Sequence, residues 1–192
     1  RGAAPIQRAI MNLDNKTGIS IMKINNKLDA GPICNKYEVD IKKQDNAETI
    51  SEKLSMLASE KILEEIDSII DGKANFVEQD TKKVTYARKI EKAEGKINWK
   101  NRADEILGLI NGLYPTPGAW FIYKGERHKI LKAEVGNASG EPGIVLSENL
   151  EIGCNEKSLK IVEIQREGKK IQKTGEFLLG SKIMKGSNLN DL

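Results

Sequence analysis

Thr17-Gly18-Ile19-Ser20-Ile21-Met22-Lys23-Ile24-Asn25-Asn26-Lys27-Leu28-Asp29-Ala30-Gly31-Pro32 is the stretch on which the fold turns. Thr17 to Ile24 sets long or β-branched apolar residues against smaller ones, the period-two pattern of a strand, and the pattern stops at Asn25-Asn26-Lys27. Gly31 admits a crowded backbone and Pro32 cannot donate to a ladder, so the chain turns sharply and leaves as a second extended segment, Ile33 to Ile41. Asp29 therefore stands at a strand's exit, where α/β folds carry their chemistry. An aspartate there either closes the turn onto its own amides or acts as an acid, and the residues alone leave both roles open.

Upstream, Pro5 starts a short helix with Ile6, Ala9 and Ile10 on one face. Downstream, Asp45-x-x-Glu48 reads as a capping box, and Ile50, Leu54, Leu57, Ala58, Ile62, Ile66 and Ile69 recur at helical spacing up to Gly72. That apolar stripe is expected to pack on the sheet, with Glu52, Lys53, Glu60, Lys61, Glu64 and Glu65 as a solvated outer face. Residues 1–72 supply too few elements to cover both faces of a parallel sheet. Residues 73–96 are polar and aperiodic around Val84 to Ile90, the composition of a linker. The expected division is 1–75, a linker at 76–96, and 97–192.

The second part opens on Ile97-Asn98-Trp99 and a helix expected to be capped by Asn101, with Ile106, Leu109, Ile110 and Leu113 inward. Short strands follow, at Trp120 to Tyr123, Lys129 to Val135, Ile144 to Leu146, Leu150 to Cys154 and Leu159 to Ile164, the pattern of a small closed barrel. Charge divides along the same line: residues 1–75 carry 11 Lys or Arg against 12 Asp or Glu, and residues 76–192 carry 20 against 16. An excess of cations in a barrel suggests a polyanion as partner. No apolar run approaches the ~20 residues of a membrane span and no signal-peptide pattern opens the chain, so a cytoplasmic protein is expected. Cys34 and Cys154 stand far apart and His128 is the lone histidine, so no metal site or disulfide framework is indicated. His128 falls in a basic turn, Lys124 to Lys129, and is expected to be solvated.

Arg1-Gly2-Ala3-Ala4-Pro5-Ile6-Gln7, then Thr17 to Met22, then Leu28-Asp29-Ala30-Gly31-Pro32 resembles, in order and spacing, the second half of the catalytic domain of the methionyl-tRNA formyltransferase family. The resemblance runs on through Thr85-Tyr86-Ala87-Arg88-Lys89-Ile90, Ile97-Asn98-Trp99, Tyr114-Pro115-Thr116-Pro117-Gly118-Ala119-Trp120 and Glu141-Pro142-Gly143. Leu28-Asp29-x-Gly is common to folate-dependent formyltransferases; Arg-Gly-Ala-Ala-Pro-Ile-Gln is more specific.

The resemblance implies an α/β fold, the second half of a Rossmann-like formyltransferase domain followed by a small β-barrel similar to an oligonucleotide-binding fold. It implies transfer of the formyl group of 10-formyltetrahydrofolate to the free amino group of methionyl initiator tRNA. Asp29 is the implied catalytic residue, and Asn26, Lys27, Leu28 and Asp29 the implied contacts to the folate. In the family a catalytic Asn and His lie upstream of the Arg1 motif, so the chain reads as a fragment, expected to be inactive alone and monomeric. Candidate tRNA contacts are Lys124, Arg127, Lys129, Lys132, Arg166, Lys169, Lys170 and Lys173, with Lys182 and Lys185 behind them. Two alternatives are a formyltransferase for a nucleotide-linked amino sugar and a non-catalytic RNA-binding module.

Overall fold

The computed structural model describes residues 1–181 and 183–190. Helix α1 (Pro5–Met11) starts on its proline, where no hydrogen bond is forfeited. Strands β1 (Lys16–Met22) and β2 (Ile33–Asp40) pair antiparallel from Lys16↔Asp40 to Met22↔Ile33. The acid turn is thus the loop of a hairpin, closed by the Lys23 N–H donating to the Pro32 carbonyl at 3.0 Å.

Helix α2 (Ala47–Ile70) is capped one residue later than expected. Asn46 Oδ1 accepts from the Thr49 N–H and Thr49 Oγ1 from the Asn46 N–H, both at 2.9 Å. Asp45 is instead buried: it accepts from the Lys42 N–H at 2.9 Å and holds Lys53 Nζ at 2.7 Å. The apolar stripe of α2 packs only at its start. Ile50 and Leu54 are buried with Ile10 and Ala47, whereas Ile62 and Ile66 stay 38% exposed and Leu63 and Ile70 about 75% exposed. A helix of 24 residues runs about 36 Å, and an eight-residue strand spans about 26 Å, so the hairpin is too short to cover it. Glu65 also departs from expectation, because it accepts from Tyr37 Oη at 2.6 Å, from Asn35 Nδ2 and from Cys34 Sγ on β2. Tyr37 foremost, then Asn35 and Cys34, holds that carboxyl below its ordinary range although burial opposes them.

The larger core lies further along. Helix α3 (Ala103–Leu113) begins after Arg102, whose N–H donates to Glu105 Oε2 at 3.0 Å; Asn101, expected as the cap, has its own carbonyl accepting from the Asn155 N–H. Strands β3 (Ala119–Tyr123), β4 (Glu126–Gly136), β5 (Glu151–Gly153), β6 (Ser158–Arg166) and β7 (Gln172–Lys173) form one antiparallel sheet in the order β3-β4-β6-β5, with β7 beside the end of β6. The expected barrel is a curled half-barrel. Its edges are extended by single bridges, Lys96↔Trp120 on β3 and Val145↔Ile152 on β5.

Helix α4 (Thr174–Leu179) is read as no element in the sequence, since six residues are too few to show a helical period. It brings Phe177 into a core of Trp99, Ile110, Phe121, Ile130, Leu159 and Ile164. His128 belongs to that core too, a correction of its expected exposure. It is 2% exposed, stacks on Phe121 at 5.2 Å, meets Phe177 edge-on at 5.7 Å and donates from Nδ1 to the Glu126 carbonyl at 3.0 Å. Alternation along β4 turns every second residue inward, and His128 falls on the inward register beside Ile130.

The first segment is fastened to the second by helix packing. α1 lies against α3, where a Cβ on Gly108 would meet Leu13 Cδ2 at 2.7 Å and one on Gly112 would meet Met11 Cγ at 2.6 Å and the Gln7 carbonyl at 2.9 Å.

Candidate functional site

Asp29 has φ 50°, the left-handed region that aspartate tolerates better than most residues. The turn is crowded as well as strained, since a Cβ on Gly31 would stand 1.7 Å from the Lys23 carbonyl oxygen. Only glycine fits there.

The carboxylate of Asp29 accepts from the Gly2 N–H through Oδ2 at 2.9 Å, and Oδ1 makes no hydrogen bond within the described residues. Oδ1 is therefore the oxygen left to take a proton or hold a water. Around it, Ile24 is 96% and Leu28 71% exposed, and the N–H groups of Asn26 and Leu28 have no partner among the described residues. Lys27 is tied locally, its N–H donating to Asn25 Oδ1 at 2.9 Å. The loop offers a flat ligand an apolar side chain and free main-chain donors beside one open carboxylate oxygen.

Residues 76–96, expected as a linker, run back along the first segment as a strap. Val77 and Ile33 exchange N–H to carbonyl bonds at 2.8 and 2.9 Å, and Ala87 bridges Gly2, its N–H donating to the Arg1 carbonyl at 2.7 Å. From this strap Gln79 reaches the acid turn, with Nε2 donating to the carbonyls of Asp29 at 3.0 Å and Gly31 at 2.7 Å. Nothing in the polar, aperiodic 73–96 marks Gln79, so sequence reasoning misses it. Arg8, on α1, is missed because its partner Glu94 lies in that same unmarked stretch. Its guanidinium grips Glu94 at 2.7 and 2.9 Å and donates to the carbonyls of Arg88 and Lys89. Arg8 foremost, then the Glu91 N–H, pulls the Glu94 carboxyl down to about 2.

The candidate tRNA contacts form two groups. Arg127 and Lys129 take the outward register of β4, and the register shift between Ile130 and Ala133 turns Lys132 outward as well; Lys132 stands opposite Glu163, and Glu163 opposite Lys173. Arg127, Lys129 and Arg166 line a groove of about 320 Å³ with Lys92, Thr116 and Gln165. Arg127 lies over the ring of Trp120 at 4.3 Å, and Arg166 over Phe177 at 5.6 Å. Lys124 sits on the tight turn into β4, and Lys169 and Lys170 follow β6; all three are exposed. Lys185 is exposed, and Lys182 lies outside the described residues. Among the described residues none of the eight principal candidates makes an ion pair. Cations elsewhere do: Lys53 with Asp45, Lys61 with Glu60 and Glu64, Arg102 with Asp104. The two thiols stand apart and free; Cys154 is buried, which pushes it up to about 12, and Cys34 is only half-buried.

Two family models match in succession: "Formyl transferase" over residues 1–66, and "Formyl transferase, C-terminal domain" over residues 89–182. The first holds the acid turn and the second the basic sheet. The chain belongs to the formyl transferase family. Its curated relatives are narrower: it is 62% identical over 193 residues to the methionyl-tRNA formyltransferase of Pelagibacter ubique and 45% identical over 188 residues to that of Thermodesulfovibrio yellowstonii. These alignments take in 100% and 97% of this chain but 62% and 61% of the relatives, so it spans about three fifths of their length. Among solved structures, HypX from Aquifex aeolicus in complex with tetrahydrofolic acid shares the fold, with a TM-score of 0.72 at 18% identity over 93% of this chain and 32% of that one. No described helix is long and apolar enough to cross a membrane.

Proposed function

We propose that this chain is the acid-bearing part of an enzyme that moves the formyl group of 10-formyltetrahydrofolate onto the amino group of methionyl initiator tRNA. The observation that carries the reading is the Asp29 carboxylate, fixed through one oxygen by a main-chain N–H and open at the other.

Formyl transfer joins the amine nitrogen to the formyl carbon through a tetrahedral oxyanion; the attacking nitrogen must shed a proton, and the folate nitrogen must gain one as its bond to the formyl carbon breaks. Asp29 Oδ1 is placed to take that proton directly or through a water, which is general-base work. The loop at Asn26, Lys27 and Leu28 receives the folate's ring through its free N–H groups and the exposed Leu28 side chain. HypX, a protein of the same fold, is solved in complex with tetrahydrofolic acid, which supports a folate as the ligand of this fold. The unpaired cations on β4 and β6 receive the phosphates of the tRNA. The enzyme works as a monomer in the cytoplasm.

The test joins this chain to the N-terminal part of the Pelagibacter ubique relative and compares it with Asp29→Asn. Turnover is expected to fall by roughly 10²–10⁴-fold, the usual worth of a general base, with tRNA affinity unchanged. Equal turnover in the variant overturns the reading.

A further inference from the structure

Gln79 lies 50 residues beyond Asp29 in sequence, yet its side-chain amide spends both hydrogens on the acid turn. The carbonyls it holds, of Asp29 and Gly31, flank Ala30 at the point where the backbone is left-handed and most crowded. Its own carbonyl oxygen accepts from Arg1 Nη2 at 3.1 Å. An amide set between two acceptors and one donor has a single satisfied orientation, so the hydrogen-bond pattern fixes which end faces the turn. The reach of the side chain is fixed as well, because Val77, two residues earlier, is bonded to Ile33 in both directions. The same strap carries Ala87, which bridges Gly2, the donor to the Asp29 carboxylate. One extended segment therefore holds the acid twice: its main chain through Gln79 and its carboxylate through Gly2.

We propose that Gln79 is a positioning residue for formyl transfer, its side-chain amide holding the left-handed turn that aims Asp29 Oδ1 at the reacting amine. The proposal rests on the reading of Asp29 as the acid. Because the strap leads into the second part of the chain, it also makes the aim of the acid depend on how that part is seated.

Gln79→Ala removes the amide, and Gln79→Glu keeps its shape while replacing the donors with an anion facing two carbonyls. In this chain, amide hydrogen exchange of residues 23–33 is expected to quicken about tenfold or more in both variants, with α3 and β4 unchanged. In the chain joined to the relative's N-terminal part, kcat is expected to fall about 10–100-fold in both, with the KM for tRNA within about twofold, as misplacement of a reacting group predicts. Unchanged exchange at 23–33 overturns the proposal, and so does wild-type kcat in Gln79→Glu, which would reduce the side chain to a space-filler. Asp29→Asn run beside them separates the two claims. An inactive Asp29→Asn with a fully active Gln79→Ala overturns positioning and leaves the acid in place; an active Asp29→Asn removes the acid and the proposal together.

Discussion

Asp29 and His128 show how a residue's role is decided by what its neighbours leave open. The left-handed backbone of Asp29 costs about 1 kcal/mol or more, and the crowding at Gly31 prevents the turn from relaxing. Both features follow from Leu28-Asp29-Ala30-Gly31-Pro32, so the acid turn is legible in the sequence; which oxygen stays free is not, because Gly2, the donor that holds the other, comes from another segment. His128 is the reverse case. Its neighbours in sequence are charged, yet strand alternation turns it into an aromatic core where burial lowers its pKa. The unfolded chain takes up this proton near pH 6.5, the folded chain only at lower pH. Between those values the unfolded state binds more protons, so stability is complete above about pH 6.5 and declines as pH falls through the folded value. Urea unfolding at pH 7.5 and 5.5 is expected to show that decline, and His128→Gln, which has no such proton to gain, is expected to flatten it.

Between elements, two devices join the first segment to the second. In the contact of α1 with α3, alanine at Gly112 would gain about 1 kcal/mol of helix propensity but meets a main-chain oxygen at 2.9 Å, which cannot move without shifting α1. Overpacking of this kind costs about 1–3 kcal/mol, so Gly112→Ala is expected to lower Tm by a few degrees. Gly108→Ala meets first a Leu13 methyl that can swing away, so thermal melts are expected to show the smaller effect there. The second device is the grip of Arg8 on Glu94. With the Glu94 carboxyl held at about 2 against 4.5 unfolded, its contribution is present above pH 4.5 and lost as pH falls toward 2. At 18% side-chain exposure that amounts to roughly 3 kcal/mol, so Glu94→Gln is expected to match the acid-induced loss of wild type at neutral pH. Denaturant midpoints across pH check both halves of that statement. Helices α1, α2 and α3, the hairpin strands and most strands of the curled sheet are legible from period and turn chemistry, while the six-residue α4 is not. These joints are not: Gly108 and Gly112 read as helix weaknesses until α1 is laid against them, and Arg8 and Glu94 are 86 residues apart. The exposed second half of α2 escapes for a related reason, since an apolar period reports which face is sticky and not whether enough sheet exists to cover it.

Over the whole molecule, the basic sheet differs from α2 in how its cations are partnered. Sequence counts show only a modest basic excess after residue 75, too small by itself to settle on a polyanion. The structure adds that acidic side chains elsewhere take up Lys53, Lys61, Arg8 and Arg102, while the candidate cations of β4, β6 and β7 make no ion pair among the described residues. An unpaired cation is worth more to a phosphate than a paired one, because no internal bond is broken on binding. If about six of the eight meet phosphates, log affinity for tRNA is expected to fall with log salt at a slope near −4 to −5. Exchanging Arg127, Lys129 and Arg166 together for Gln takes three charges from the groove and is expected to reduce that slope by about 2–3. The same exchange is expected to weaken initiator and elongator tRNA alike, since phosphate contacts carry no sequence. Exchanging Lys53, Lys61 and Lys73, all paired on or beside α2, removes equal charge and is expected to leave the slope unchanged. Filter binding from low to high salt reads all three proteins. A slope that fell equally in both triple variants would make the field of the whole chain, and not this face, the source of affinity.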